Sequence, residues 1–408
     1  MHIVDASPRP TPFHGCTAPR VVTGQWYGWG DYVLPDVYTS LGEELGAIRN
    51  AAALIDMTPL PKLRIAGEGA PALLDRAMTR PVGSVARGRC IYSPWCLDDG
   101  RMVGDGIVFH RPDGTFLLAG ERSLGWLRET AGNLDVTVED VTHDFGVLAL
   151  QGPRAPEIAG RAVGADVAGM GFSEVREVEI GGAAVMLARQ GFTGEKGYEV
   201  WVRTSDGAAV WTAIMEAGAA DGLKPAGEYA VDVARVEAGL ILVSADYAGA
   251  GPDGQTANVA VDRNLTLTPA EAGLARLVPL DDEREFRGRD ALRAEAERGG
   301  PERRWTGLRI EPDAVMQAAL AAGCPDEALS RVLWASVPAS VDGTTVGRAS
   351  SLCYSPTLGA VIGFAFVTKA AHERGAVEVD MRSPHGTPMG RVPATLVAPP
   401  FVELRRSA

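Results

Sequence analysis

The succession strand, helix, hairpin occurs twice in this chain, over residues 63–131 and again over 147–219. In the first copy a strand begins at 63–65, and a helix follows at 69–78 with Pro71 tolerated in its first turn. Strands are expected at 90–95, 102–110 and 115–119. The turn residues Leu97-Asp98-Asp99-Gly100 and Pro112-Asp113-Gly114 join them, and a helix follows at 123–131. The second copy reads as strand 147–151, helix 153–163, strands 175–180, 184–189 and 198–202, and helix 207–219. Irregular alternation with adjacent hairpins argues for α+β and against a doubly wound parallel sheet. The copies share negligible sequence identity, so the recurrence reads as a degenerate internal duplication.

The first 40 residues are rich in Pro, Gly and aromatics and read as an extended segment laid over a folded body. Residues 38–50 have helical spacing, with Leu41, Leu45 and Ile48 on one face. Residues 295–304 are charged, contain Gly-Gly-Pro, and read as a linker. Short strands dominate beyond it, at 305–310, 346–351, 361–367, 376–381 and 389–396, which predicts a small barrel or jelly roll.

Composition removes several classes of function. A net charge of −13 argues against nonspecific nucleic-acid binding, although a local basic pocket can still serve an anionic ligand. Neither an apolar run of transmembrane length nor a signal peptide is visible, so a cytoplasmic protein without a membrane partner is expected. The five cysteines are odd in number and lack Cys-x-x-Cys spacing, which reads as reduced thiols. The six histidines are scattered and no nucleotide fingerprint accompanies them, so metal, flavin and NAD have no support.

The most informative stretch is Gly191-Phe192-Thr193-Gly194-Glu195-Lys196-Gly197-Tyr198-Glu199. Its glycines allow a tight turn and close approach to a ligand, and the turn leads into a strand. Glu199 at its mouth is placed to accept two parallel N–H bonds from a flat heterocycle, or is a surface carboxylate on a strand edge. Tyr198 either stacks near that site or fills the adjacent core; strand alternation sends it to the face opposite Glu199. Glu195, in the turn itself, reads as solvated.

This segment resembles the folate-binding turn of the glycine-cleavage T-protein family. Other motifs resemble the same family in the same order. They are Tyr92-Ser-Pro-Trp-Cys-Leu-Asp-Asp-Gly-Arg-Met-Val-Gly-Asp105, Asp232-Val-Ala-Arg235-Val-Glu237-Ala-Gly239-Leu, Thr268-Pro-x-Glu271-Ala-Gly273-Leu and Ser355-Pro-Thr357-Leu-Gly359. The resemblance spans roughly residues 25–400. It implies a duplicated α+β body around a central cavity that binds tetrahydrofolate, and a C-terminal antiparallel β-barrel. The body is expected over 1–300, pairing about 1–50 with 142–250 and 51–141 with 251–300, and the barrel over 301–408.

By the same resemblance Glu199 anchors the pterin, Tyr92 contacts the folate, and Asp105 lies near its reactive nitrogens. Tyr92 is otherwise a buried tyrosine with a satisfied hydroxyl. The chain departs from the family at Gly104 (usually Asp), at Val231 (usually Arg), and at Asp56-Met57-Thr58-Pro59-Leu60, which lacks a His. These departures look more like relatives that move a methyl group from a small O-, N- or S-methyl compound to N5 of tetrahydrofolate. That tetrahydrofolate-dependent demethylase is the first reading. An aminomethyltransferase served by a lipoyl carrier protein, or a folate-binding accessory protein without turnover, is the alternative.

An onium donor needs aromatic faces, for which Trp26, Trp29 and Tyr32 are candidates. The same residues would serve as a clamp for the N-terminal segment. An ether donor needs a general acid, for which Tyr247 and His14 are candidates; either is alternatively structural. Arg235 meets the folate tail or pairs with a carboxylate. The expected partner is a small methylated molecule, and a homo-oligomer is compatible with the sequence.

Overall fold

The structure is a computed structural model describing residues 8–252 and 265–407. The first copy forms a five-stranded sheet in the order Arg89–Cys96, Met102–His110, Phe116–Gly120, Lys62–Ala66, Thr137–Asp140. The second forms the order Val175–Ile180, Ala183–Ala188, Gly197–Arg203, Phe145–Gln151, Ala52–Asp56, Leu223–Ala226. Both follow one plan. Three meandering strands end on one that pairs antiparallel with the opening strand of the copy, and a closing strand lies beyond it. The second sheet differs because Ala52–Asp56 is wedged before the closing strand. That strand was not expected. Its residues Ala-Ala-Leu-Ile-Asp are buried on both faces, which erases the period-2 signal.

Each sheet carries helices on its outer face. Ala155–Val163 and Gly207–Gly218 cover Leu148, Leu150, Val200 and Val202 on one sheet. Ala70–Ala77 and Leu124–Ala131 cover Trp95, Val103, Val108 and Phe116 on the other. The inner faces meet in a third core, where Phe109 lies edge-on to Trp201 with centroids 5.0 Å apart. The body is therefore layered helix, sheet, sheet, helix, each layer buried by roughly 1.5–3 kcal/mol per large apolar side chain.

The expected helix at 38–50 starts later, as Leu41–Asn50, because the Ser40 hydroxyl caps it by accepting the Glu43 N–H at 3.3 Å. Buried Glu44 accepts the N–H groups of Tyr38 and Gly227, both at 2.7 Å, and so holds residue 38 outside the helix. The N-terminal segment is a hairpin, Gln25–Trp29 with Tyr32–Val37, rather than only an extended strap. The expected linker at 295–304 begins inside a helix and ends inside a strand, leaving only 298–302 irregular. Arg289–Glu297 is built of strong helix formers, and the break falls at Gly299 and Gly300, both at positive φ.

The barrel closes in the order Arg303–Ile310, Ala360–Thr368, Thr344–Ser355, Val337–Val341, Ala376–Arg382, Pro388–Val397. It is joined to the body by the buried helix Glu228–Glu237. Arg235 on that helix pairs with Asp232 at 2.8 Å and Asp246 at 2.6 Å, and donates to Ser351 Oγ of the barrel at 2.6 Å. Arg49 pairs with Glu237 at 2.7 Å and Glu195 at 3.0 Å, while Ser355 Oγ donates to Glu237. Charges buried in this way are tolerable only as complete networks. Among the described residues no helix is long and apolar enough to cross a membrane.

Candidate active site

The inward faces of the two sheets carry the candidate site. Asp105, Ile107 and Phe109 alternate onto the inner face of one strand, with Tyr92 on the neighbouring strand opposite Ile107. The Tyr92 hydroxyl donates to Asp105 Oδ2 at 2.7 Å, and the Tyr247 hydroxyl donates to Asp105 Oδ1. Tyr247 arrives from the segment after helix Glu228–Glu237. That segment runs beside the Asp105 strand, with Ala250 N–H donating to the Met102 carbonyl at 2.8 Å. Both carboxylate oxygens therefore hold a phenol proton. Burial pushes the Asp105 carboxyl upward and the two phenols pull it back. Burial, and then the Asp105 charge, drive both phenols well above their ordinary value, so they stay protonated at neutral pH.

Glu199 stands on the facing sheet, on the same side as Trp201. Its cross-strand neighbours are Ala149 and Ala188, two small residues that leave room beside the carboxyl. Trp201 Nε1 donates to Glu199 Oε2 at 3.2 Å. With that one donor, burial lifts the carboxyl to about 7. Tyr92, Asp105 and Glu199 are all deep in the body, yet each keeps some accessible surface, as residues on the wall of an interior space do.

The floor near Trp201 is held by Lys62, which is fully buried. Its Nζ donates to the carbonyls of Thr58 at 2.6 Å and Leu60 at 2.8 Å and lies 6.0 Å from the Trp201 ring. Burial lowers its ammonium to about 7. The loop 56–60, where the family His is absent, is folded around this ammonium.

The glycine turn behaves differently from expectation. Side chains on Gly191 and Gly197 would meet the Gln151 amide at 2.0 and 2.2 Å. Gln151 is buried, accepts the Thr193 hydroxyl at 3.0 Å and donates to the Gln190 carbonyl at 3.1 Å. The close approach these glycines permit is to Gln151, which locks the turn. Glu195 is likewise buried against Arg49 rather than solvated.

Several expected site residues lie elsewhere. Tyr198 faces the outer helices, fully buried, with its hydroxyl on the Val167 carbonyl at 3.0 Å; strand alternation decides this. Arg235 is consumed by its carboxylates and does not reach the site. His14 sits in the short helix His14–Thr17 against Trp26, 5.3 Å between rings, beside the outer-face residue Phe13. Trp26, Trp29 and Tyr32 do not form a cage. Trp26 points outward at 38% exposure, Trp29 packs on the central core, and the Tyr32 hydroxyl bonds His143 Nδ1 at 2.7 Å. Asp31 pairs with Arg9 at 3.1 Å.

The structure also explains two departures. A side chain at Gly104 would meet Glu121 Cβ at 2.5 Å and the Trp95 ring at 3.0 Å, so buried Glu121 fills that room. Val231 is buried in the central core. The cations facing Tyr92 are instead Arg406 and Arg276, which the sequence reading missed. Arg406 is far from every motif in sequence; the tail that carries it docks through the N–H groups of Phe401 on the Glu237 carbonyl at 2.9 Å and of Arg405 and Arg406 on the Gly194 carbonyl at 2.7 and 2.9 Å.

All five cysteines are free thiols. Among the described residues no group of three or more His, Cys, Asp or Glu is arranged to hold a metal ion.

Comparison with known proteins shows the family and the fold. Residues 17–252 match the GCVT N-terminal domain, and residues 325–403 match the glycine cleavage T-protein C-terminal barrel domain. The chain is 33% identical over 410 residues to an aminomethyltransferase of Saccharopolyspora erythraea, covering 99% of this chain and 100% of the relative. It is 29% identical over 366 residues to that of Bacillus subtilis, covering 88% and 91%. The crystal structure of glycine cleavage system aminomethyltransferase T from Bartonella henselae superposes with a TM-score of 0.78 at 20% identity, covering 98% and 99%, which shows the shared fold.

Proposed function

The chain belongs to the glycine-cleavage T-protein family, and from that premise we propose that it transfers a one-carbon unit between a donor and tetrahydrofolate. The observation that carries this reading is the pair of opposed carboxylates, Asp105 held by two phenols on one sheet and Glu199 beside two alanines on the other. The site suits a reduced pterin. Glu199 has one indole donor and a carboxyl poised near neutrality, so a ring offering two N–H donors would draw it into the ionised form. Tetrahydrofolate supplies the nucleophilic nitrogen that accepts the carbon.

This chain's own residues bind, orient and stabilise charge. Glu199 fixes the ring plane. Asp105, with both oxygens already hydrogen-bonded, acts as an oriented negative charge rather than a strong base, and offsets positive charge developing at the reacting nitrogen. Tyr92 and Tyr247 keep their protons and fix the carboxylate plane. Arg406, beside Tyr92, is the cation that takes over the role lost at Val231.

Aminomethyl transfer is the first reading of the donor, supported by the relatives of that name over nearly the whole chain. A second reading, methyl transfer from a small methylated compound, is favoured by Gly104, Val231 and the loop 56–60, and by Tyr247, a protonated phenol able to serve a leaving oxygen. One experiment separates them. The protein is incubated with tetrahydrofolate and either an aminomethyl-lipoyl carrier protein or a panel of methylated compounds, and the folates are resolved by mass spectrometry. The aminomethyl reading expects 5,10-methylenetetrahydrofolate with ammonia from the carrier. Appearance of 5-methyltetrahydrofolate with a methylated donor alone would replace it by the second. Loss of neither donor nor tetrahydrofolate would sink both.

A further inference from the structure

Gln190 ties the two halves of the body together close to Glu199. It follows the strand Ala183–Ala188, whose last residue is the cross-strand neighbour of Glu199, and its N–H turns back onto the Ala188 carbonyl at 2.9 Å. Gln151 Nε2 donates to the Gln190 carbonyl at 3.1 Å, so the backbone is pinned on both sides. The hydrogens of the side-chain amide are both spent. One goes to Ser173 Oγ at 2.8 Å, and the other to Cys90 Sγ at 3.4 Å. Cys90 belongs to the other half, on the strand Arg89–Cys96 and on the same inner face as Tyr92.

Both ties are themselves fixed. Ser173 sits in the left-handed region at φ 68°, where a residue with a side chain is uncommon. Its N–H on the Arg189 carbonyl at 3.0 Å and the Cys90 N–H on its own carbonyl at 2.9 Å hold it there. The Cys90 thiol donates to the Ser173 carbonyl at 3.5 Å, which leaves the sulfur to accept from Gln190. Burial above all, and the charge of Glu199 as well, push this thiol up, so it keeps its proton. What remains of the Gln190 amide is Oε1. Among the described residues no group donates to it, and although Gln190 is buried this oxygen is not sealed off. An amide with both hydrogens committed presents only an acceptor.

We propose that Gln190 Oε1 is a second acceptor for the pterin ring and takes the hydrogen of the 2-amino group that Glu199 leaves free. The inference rests on the folate reading above and adds a residue that selects the ligand. A pterin presents a ring N–H and an exocyclic amine side by side. A carboxylate facing that edge takes the ring N–H and the nearer amine hydrogen. The farther hydrogen points along the edge, and in a buried site it costs affinity unless an acceptor stands there. A second carboxylate in that place would repel Glu199, and a donor would oppose a donor. A neutral oxygen whose amide hydrogens are already spent meets the requirement, and it favours ligands with an unsubstituted amine.

The test is calorimetry on the full-length protein with tetrahydrofolate and with its N2-methyl derivative, whose amine keeps only the hydrogen that Glu199 takes. The wild-type protein should bind the derivative at least about tenfold more weakly, the scale of one lost hydrogen bond with a methyl group pressed on the amide. Gln190→Ala removes the acceptor and opens room beside the amine. Tetrahydrofolate should then bind about three- to tenfold more weakly while the derivative binds no worse than before, so the preference shrinks. Ser173→Gly suits the positive φ and cuts one of the two ties that aim the amide, and it should narrow the preference by a smaller factor. Equal affinities for the two folates in the wild-type protein would overturn this inference and leave the folate reading standing. An equal loss for both in Gln190→Ala, the mark of a purely structural residue, would do the same. Binding of neither folate would overturn the folate reading itself.

Discussion

The two halves of the body share one chain path and carry opposed carboxylates, but they treat the charge in opposite ways. In the five-stranded half Asp105 receives two phenol protons, which counter the burial that pushes its carboxyl up. In the six-stranded half Glu199 receives one indole N–H at 3.2 Å and rises to about 7. The repeated fold does not set this contrast. Tyr92 reaches Asp105 from the adjacent strand of its own sheet, and Tyr247 from outside the sheet altogether. A duplicated scaffold has thus yielded one carboxylate stabilised in advance and one left for a ligand to complete.

Removing the stabilised charge should have the largest effect. Asp105→Asn is expected to lower turnover about 10²–10³-fold, the scale of losing one preorganised electrostatic group, with folate affinity changed little. Steady-state kinetics and calorimetry on the same variant check both halves of that statement. An Asp105→Asn enzyme as fast as the wild type would remove Asp105 from the chemistry.

Next comes the ligand-completed side. Glu199→Gln should weaken tetrahydrofolate binding by about 1.5–3 kcal/mol, as for hydrogen bonds to a charged group. In the wild-type protein the ring N–H donors favour the ionised carboxyl. Affinity should therefore fall as pH drops below about 7 and level off above it, and this dependence should vanish in the variant. A stability signature accompanies it. The folded carboxyl is pushed up to about 7 from an ordinary value of 4.5, so the folded state retains the proton and loses stability as pH rises between those values. Glu199→Gln should leave thermal stability alone below that window and raise it by about 1–3 kcal/mol above it. Equal melting curves at high pH would show that solvent reaches the carboxyl freely.

Trimming the phenols sharpens the comparison further. Tyr247→Phe removes a donor that pulls the Asp105 carboxyl down, so its pKa should rise and the acid limb of the rate profile should move to higher pH. The loss in turnover is expected to be about tenfold, on the order of one hydrogen bond to a charge. Tyr92→Phe should move the limb the same way. A limb that stays fixed in both variants would mean that Asp105 does not set it.

The smallest effect is expected at Trp26. It is partly exposed against His14 and away from the carboxylates. Trp26→Leu should alter stability by no more than about 0.5 kcal/mol and leave the donor's KM unchanged, as for other surface positions. A rise in that KM alone would restore the aromatic cage that the hairpin geometry disperses.

The site was legible where a residue's role depends on strand alternation. Period 2 puts Glu199 on the face opposite Tyr198, and Asp105 stands out as a carboxylate in an otherwise apolar strand, but that both faces are inward was decided by how the two sheets pack. Alternation failed for Arg235, because the carboxylates that consume it include Asp246, on a different segment, and a barrel serine completes the network. It was silent about Arg406 and Glu121, whose positions depend on a tail docking to Gly194 and on a neighbour filling the space above Gly104.

The sequence by itself determined the repeated strand, helix and hairpin order, the β-rich C-terminal unit, and the family. These rest on periodicity, turn chemistry and ordered motifs, all of which are local. Tertiary structure alone decided which charges are free. Burial and partners are properties of the packed interior, where one added phenol or one missing carboxylate changes whether a side chain is a structural tie or a binding group. In this protein that distinction separates Arg235 from Arg406 and Asp105 from Glu199, and no pattern along the chain records it.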